Sequence, residues 1–125
     1  GEEGSNGAVR RAIALADDAA IPLIRLERAA ARLRSGNPVG LQAAREALAP
    51  ADAHPAVIAE SARVLALSAD PADTAAALAA LQRAAAAGWF ADPARVAALS
   101  EDPDFIRVRD LADFKAWAAA LKTRR

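Results

Sequence analysis

The single histidine of this sequence is the first residue to examine for catalytic chemistry. His54 stands before Pro55 at a predicted helix start. An imidazole can serve as a general base or as a metal ligand, but either role requires several convergent groups. The sequence contains no cysteine and no His-x-x-His or Glu-x-x-His spacing, so any further metal ligand would be a carboxylate. We therefore interpret His54 as a structural or surface residue.

A group of carboxylates in the C-terminal part is a second candidate, as a calcium site. Its members are Glu101, Asp102, Asp104, Asp110 and Asp113. They do not form the Asp-x-Asp-x-Asp-Gly loop with a distal glutamate that binds calcium in many proteins. Asp102 is better explained as a helix cap, and we expect the others to face solvent or to pair with Arg107 and Arg109.

The sequence also lacks the common motifs of enzymes. No serine lies in a Gly-x-Ser-x-Gly elbow, and the one histidine is not placed near any serine, which argues against a catalytic triad. The Gly-Ser-Asn-Gly stretch near the start lacks the Gly-Lys-Ser/Thr ending of a phosphate-binding loop. The sequence thus predicts no enzyme and no bound cofactor or metal.

Arginine side chains are the remaining candidates for binding chemistry. Arg25, Arg28 and Arg32 lie on one stripe of a predicted helix. Their guanidinium groups could hold a carboxylate or a phosphate by paired hydrogen bonds. The other interpretation is a solvated helix face that Glu27 and Glu46 support.

Composition predicts the fold class and excludes some partners. Of the 125 residues 54% are apolar but only 4% aromatic, and the many alanines favour an all-α protein with closely spaced helices. The 16 basic and 16 acidic residues cancel, so there is no general electrostatic reason to expect nucleic acid or an anionic membrane as partner. No apolar run is long enough to insert into a membrane. The excess of arginine over lysine indicates a GC-rich bacterial genome, and we expect a soluble protein of the bacterial cytoplasm or periplasm.

Capping residues divide the chain into helices. Asn37, Asp70, Asp92 and Asp102 each precede a proline, as His54 does, and this pairing marks helix starts. Residues 1–7 are predicted to be flexible. The predicted helices cover 8–17, 19–34 with Asp18 as cap and Gly36 as end, 38–49, 55–68, 74–87 closed by Gly88, 93–99, 103–109 and about 112–121.

Four of these predicted helices form two similar units in the sequence. Residues 23–49 and 55–88 can be superposed as helix, turn and helix. The matching positions are Leu26, Ala30 and Leu33 in the first unit and Ile58, Ala62 and Leu65 in the second. A period of about 34 residues with small side chains at the crossings resembles the tetratricopeptide repeat.

The C-terminal part strengthens this resemblance. Ala-Gly-Trp-Phe-Ala-Asp-Pro at 87–93, Ser-Glu-Asp-Pro-Asp-Phe at 100–105 and the helix with Phe114 and Trp117 look like the segment that often closes bacterial tetratricopeptide arrays. The resemblance implies an all-α, right-handed superhelix of antiparallel helix hairpins with about seven or eight helices. It implies one domain over 8–125, with hairpins at about 19–49 and 55–88 and a capping tail at 89–122.

Such domains usually bind other proteins, so the resemblance implies an interaction module or scaffold with a shallow concave groove. When the groove-lining positions of the tetratricopeptide repeat are placed on this sequence, the predicted groove residues are Glu27, Arg34, Ala59, Arg63 and Leu67. Our hypothesis is that Arg34 and Arg63 engage acidic groups of a partner protein or peptide. Two alternatives stay open, a regulatory or ligand-sensing domain of a larger enzyme or signalling protein, and a self-associating structural protein. Because the groove is shallow, a homodimer is also a possible form of the protein.

Overall fold

The structure, a computed structural model, describes residues 17–123, with side chains from residue 20 onward. Within this range the protein is all-α, with seven α-helices, two short 3-10 turns and no strand. The helices are α1 (Asp17–Arg34), α2 (Gly40–Leu48), α3 (Pro55–Ala66), α4 (Pro71–Ala86), α5 (Pro93–Glu101), α6 (Ile106–Arg109) and α7 (Ala112–Thr123), and the 3-10 turns are Trp89–Ala91 and Pro103–Phe105. The predicted helix over 8–17 and the predicted flexible start fall outside the described residues, apart from residue 17.

The predicted caps at His54, Asp70, Asp92 and Asp102 begin helical elements as expected. The prediction of Asp18 as a cap is wrong, because α1 already includes Asp17. The side chains of His54, Asp70 and Asp92 accept a hydrogen bond from the backbone N–H two residues later, at 3.1, 2.9 and 2.9 Å. Asp102 caps the Pro103–Phe105 turn in the same way, through the Asp104 N–H at 2.9 Å. The proline that follows each cap has no N–H to leave unpaired. Because Asp70 is the cap, α4 begins at Pro71, three residues before its predicted start.

Gly36 ends α1, as predicted from its position. Its φ of +92° is in the left-handed region that a side chain disfavours. This conformation lets the Asn37 N–H donate to the Arg32 carbonyl at 2.8 Å, the bond that closes many helix ends. The Asn37 side chain then accepts from the Val39 N–H at 3.1 Å, and α2 begins only at Gly40.

Contacts along the helices show their relative directions. Gly40 at the start of α2 lies against Ala29 of α1, while Ala47 near its end lines a cavity with Pro22 near the start of α1. The two helices are therefore antiparallel. The short turn at 67–70 makes α3 and α4 a second antiparallel pair.

The two hairpins lie side by side in the same orientation. Arg45 of α2 binds Asp73 in the first turn of α4, and Arg83 in the last turn of α4 binds the Leu48 carbonyl that ends α2, so α2 and α4 are parallel. The starts of α1 and α3 share one cavity, and Arg34 and Arg63 near their ends approach the same aspartate. Hence α1 and α3 are also parallel.

The core lies between the hairpins and continues under the C-terminal tail. Its largest fully buried apolar side chains are Leu26, Val64, Leu65, Leu81 and Val108. Alanines such as Ala44, Ala62, Ala77 and Ala84 are completely buried at the helix crossings, which keeps the helix axes close. In the tail, the Phe90 and Trp117 rings meet edge to face at 5.7 Å, and Phe114 meets Trp117 at 5.9 Å.

Gly40 should be essential for the close approach of α2 to α1. A Cβ atom at this position would lie 2.5 Å from the Ala29 carbonyl oxygen and 3.0 Å from its Cα, and neither backbone atom can move independently of α1. We expect Gly40→Ala to lower the free energy of unfolding by about 1–2 kcal/mol, even though alanine has the higher helix propensity. Urea denaturation would measure this. Gln42→Ala, at an exposed position of the same helix, is the control with an expected change below about 0.5 kcal/mol, and a Gly40→Ala protein as stable as this control would contradict the expectation.

Among the described helices, none combines the length and the apolar character needed to cross a bilayer.

Candidate functional site

Two of the predicted groove residues meet a pair of carboxylates from the C-terminal tail. Arg34 Nη2 at the end of α1 lies 2.6 Å from Asp104 Oδ2. Arg63 Nη2 in α3 lies 3.0 Å from Asp102 Oδ2. We call these four residues and Phe105 the arginine site. Arginines that are distant in sequence, one from each hairpin, thus converge on one short segment of chain.

Local backbone geometry positions the two carboxylates. Asp102 uses Oδ1 to cap the Pro103–Phe105 turn and leaves Oδ2 for Arg63. Arg109 donates to the Asp102 carbonyl at 2.6 Å and to the Leu99 carbonyl at 3.0 Å. Arg107 donates to the Leu67 carbonyl at the end of α3, at 3.1 Å. These bonds hold the segment against α3.

Burial differs between the two arginines. The Arg63 side chain is 34% exposed and its guanidinium lies 5.9 Å from the centre of the buried Phe105 ring. Its Nε is buried without a hydrogen-bond partner in the described part of the chain, at 3.9 Å from Asp104 Oδ2. The Arg34 side chain is 51% exposed, so its ion pair is screened by water and contributes at most about 1 kcal/mol.

Of the three other predicted groove residues, only Leu67 lies beside this site. Leu67 is half-buried directly after α3, and its carbonyl accepts from Arg107. Ala59 is half-buried one turn before Arg63, and Glu27 is exposed two turns before Arg34. The structure therefore gathers Arg34, Arg63 and Leu67 around the tail and leaves Glu27 and Ala59 nearer the starts of their helices.

The prediction of Asp102 as a cap is confirmed, but the expectation that Asp104 faces solvent or pairs with Arg107 or Arg109 is wrong. Those two arginines donate to backbone carbonyls instead, and the carboxylates pair with Arg34 and Arg63. Sequence reasoning missed this because the partners are about 40–70 residues apart and no periodic pattern links them. The only local signal was the cap itself at Asp102.

Backbone binding by arginine recurs throughout the fold. Four arginines donate to carbonyls near the ends of helices or in turns: Arg83 to Leu48, Arg95 to Trp89, Arg107 to Leu67 and Arg109 to Leu99. Arg95 also stacks on the Trp89 ring, with 3.5 Å between its Cζ and the ring centre. A planar guanidinium with several fixed donors suits both tasks better than an ammonium does. These contacts give a structural reason for the excess of arginine over lysine in the sequence.

Asp73 forms a buried polar cluster at the start of α4. Its carboxylate accepts from Ser68 Oγ at 2.7 Å and from Arg45 Nη2 at 2.8 Å. Burial acts to raise the pKa of Asp73, but the hydrogen bonds from Ser68 and Arg45 and the charge of Arg45 lower it below its usual value on balance. The one histidine of the sequence caps α3, so no histidine lies beside this Ser–Asp pair to act as a base. We assign the cluster a structural role.

Within residues 17–123, no three histidine, aspartate or glutamate side chains are grouped closely enough to hold a metal ion. Comparison with family models, with curated proteins and with solved structures finds no match to this chain. The arginine site and its surroundings are therefore the features that indicate a function.

Proposed function

We propose that this domain is a protein interaction module of the tetratricopeptide-like type, which binds an acidic segment of a partner along α1 and α3. The observation that carries the proposal is the convergence of Arg34 and Arg63 on the Asp102 and Asp104 carboxylates. A face that binds one acidic segment of its own chain has the donors to bind another. The parallel arrangement of α1 and α3 supports the same function, because it sets equivalent positions of both hairpins side by side.

Arg34 provides the free binding capacity. A guanidinium has five N–H donors, and within the described residues Arg34 makes a single side-chain hydrogen bond, to Asp104. Its half-exposed side chain can donate further hydrogen bonds to a partner carboxylate while Asp104 stays in place. The partner segment then extends toward Ala59 and Glu27. The salt dependence of such an exposed contact is strong, since ions screen it.

The test is a selection from a random peptide library with the full chain, followed by affinity measurements by fluorescence polarisation. We expect enrichment of peptides that carry aspartate or glutamate. Arg34→Glu should weaken their binding about tenfold or more, because it replaces an attraction by a repulsion. Arg32→Glu, an exposed charge reversal on the same helix, is the matched control and should change the affinity less than about threefold. Absence of acidic enrichment, or equal effects of both variants in folded proteins, would contradict the proposal.

A ligand-sensing domain is the second candidate function, and one specific observation favours it. This is a cavity at the other end of α1 and α3, lined in part by His54.

A further inference from the structure

A cavity of about 390 Å³ lies between the first half of α1, the second half of α2 and the connection into α3. This volume is at the lower end of the roughly 300–1,000 Å³ typical of small-molecule sites. The cavity is near the starts of α1 and α3, whereas Arg34 and Arg63 lie near their ends. It is therefore separate from the arginine site, and its use does not depend on the proposed partner binding.

The inner lining of the cavity is apolar. Val57 is buried, and Pro22, Ala43 and Ala47 are half-buried around it. Small side chains on α2 create the space, because alanines stand where larger residues would fill the gap between α1 and α3. This surface suits a short chain of methylene groups.

The rim of the cavity carries three charged side chains. Arg25, Glu46 and Asp52 are all exposed and line the same opening. Within residues 17–123, Arg25 and Asp52 have no hydrogen-bond or ion-pair partner, whereas Glu46 accepts one bond from Gln42 at 3.1 Å. The rim therefore offers two carboxylates and one guanidinium with most of their bonding capacity unused.

His54 adds one oriented polar group. Its Nδ1 accepts from the Ala56 N–H at 3.1 Å, so the neutral ring carries its hydrogen on Nε2. The cap contact that starts α3 thereby fixes the ring and leaves Nε2–H as a donor for another acceptor.

We propose that this cavity binds a free basic α-amino acid of the L-arginine and L-lysine class. Such a molecule carries two cationic groups and one carboxylate, which complements two carboxylates and one guanidinium on the rim. The ligand carboxylate pairs with Arg25 and accepts from His54 Nε2–H, the two cationic groups pair with Glu46 and Asp52, and the aliphatic stem lies on the alanines. A simple amine would leave Arg25 unmatched, and a simple anion would leave both carboxylates unmatched.

The experiment is a titration of the full chain with L-arginine and L-lysine, followed by amide chemical shifts in NMR spectra. We expect saturable shifts confined to the cavity, at residues such as Ala47, His54 and Val57. L-citrulline, which has a neutral side chain, should bind about tenfold more weakly, as should Nα-acetyl-L-arginine amide, which lacks the free amino and carboxyl groups.

Glu46 and Asp52 are exposed, so we expect their substitution to preserve the fold and to test the rim directly. Glu46→Gln together with Asp52→Asn should weaken L-arginine binding about tenfold or more, since it removes both anionic partners. Glu101→Gln, an exposed change far along the chain in α5, should leave the affinity unchanged. The proposal is overturned if L-arginine causes no shifts up to about 10 mM, if L-citrulline or the amide binds as tightly, or if the double variant binds as the unchanged protein does.

Discussion

Replacing Phe105 by alanine is expected to lower the free energy of unfolding by about 3–5 kcal/mol, the usual cost of removing a buried aromatic ring. The Phe105 side chain is 4% exposed and belongs to the main core. The same ring supports the guanidinium of Arg63, which lies 5.9 Å from its centre. Its loss would therefore leave a cavity under α3 and loosen the segment that carries Asp102 and Asp104.

Urea denaturation followed by far-UV circular dichroism would measure this change. Ile106→Ala is the matched control, because Ile106 follows Phe105 and is also large and apolar but is 60% exposed. We expect this substitution to change the free energy of unfolding by less than about 1 kcal/mol. Equal stabilities of the two variants would show that the tail is not anchored in the core. In that case the Asp102–Phe105 segment could leave the arginine site, and a partner would be expected to replace it there.

Asp73→Ala is expected to cost about 2–3 kcal/mol, the second largest effect. Asp73 is 5% exposed, and its removal leaves the buried Ser68 hydroxyl without its acceptor and disconnects Arg45 of α2 from α4. The loss stays below the cost of breaking a fully buried ion pair because Arg45 is half-exposed and can be hydrated again. Thermal or urea denaturation measures the change. Asp113→Ala, also in the first turn of a helix but exposed, is the control and should change stability by less than about 1 kcal/mol.

The same cluster predicts a dependence of stability on pH. The folded-state pKa of Asp73 is lower than its usual value, so the folded protein binds fewer protons at this group than the unfolded chain does. The contribution of Asp73 to the free energy of unfolding is fully present above the unfolded-state pKa of about 3.9. It is lost as the pH falls through the lower folded-state pKa. The stability difference between the unchanged protein and Asp73→Asn should therefore be large at about pH 7 and shrink toward about pH 3. A difference that does not change over this range would show that Arg45 and Ser68 do not favour the ionised carboxylate.

Helix boundaries were largely predictable, because the interactions that create them are local. Each cap accepts from an N–H two residues away, and the proline beside it restricts the same few backbone angles. This is why Pro55, Pro71, Pro93 and Pro103 each begin a helical element in the structure, and why Gly36 ends α1. The all-α class followed in the same way from the alanine content and the near absence of strand signals.

The inward-facing residues were also predictable from helical periodicity. Of the positions matched in the repeat, Leu26 and Ala30 of α1 and Ile58, Ala62 and Leu65 of α3 are buried, whereas Leu33 is half-buried. Periodicity identifies the apolar side of a helix but does not identify the element that covers it. The contact of Phe105 with the Arg63 guanidinium could therefore not be predicted from the pattern.

Local patterns in the sequence predicted most helix boundaries to within a few residues and identified the apolar sides of the helices. The partners of the arginines depend instead on the packing of distant helices. Arg34 and Arg63 meet Asp104 and Asp102 because α1 and α3 are parallel and the tail returns across their ends. In the same way, Arg25, Glu46 and His54 share one cavity because three separate segments meet there. Caps and periodicity act within a few residues, whereas ion pairs and cavities depend on how distant helices pack, and no local pattern encodes that packing.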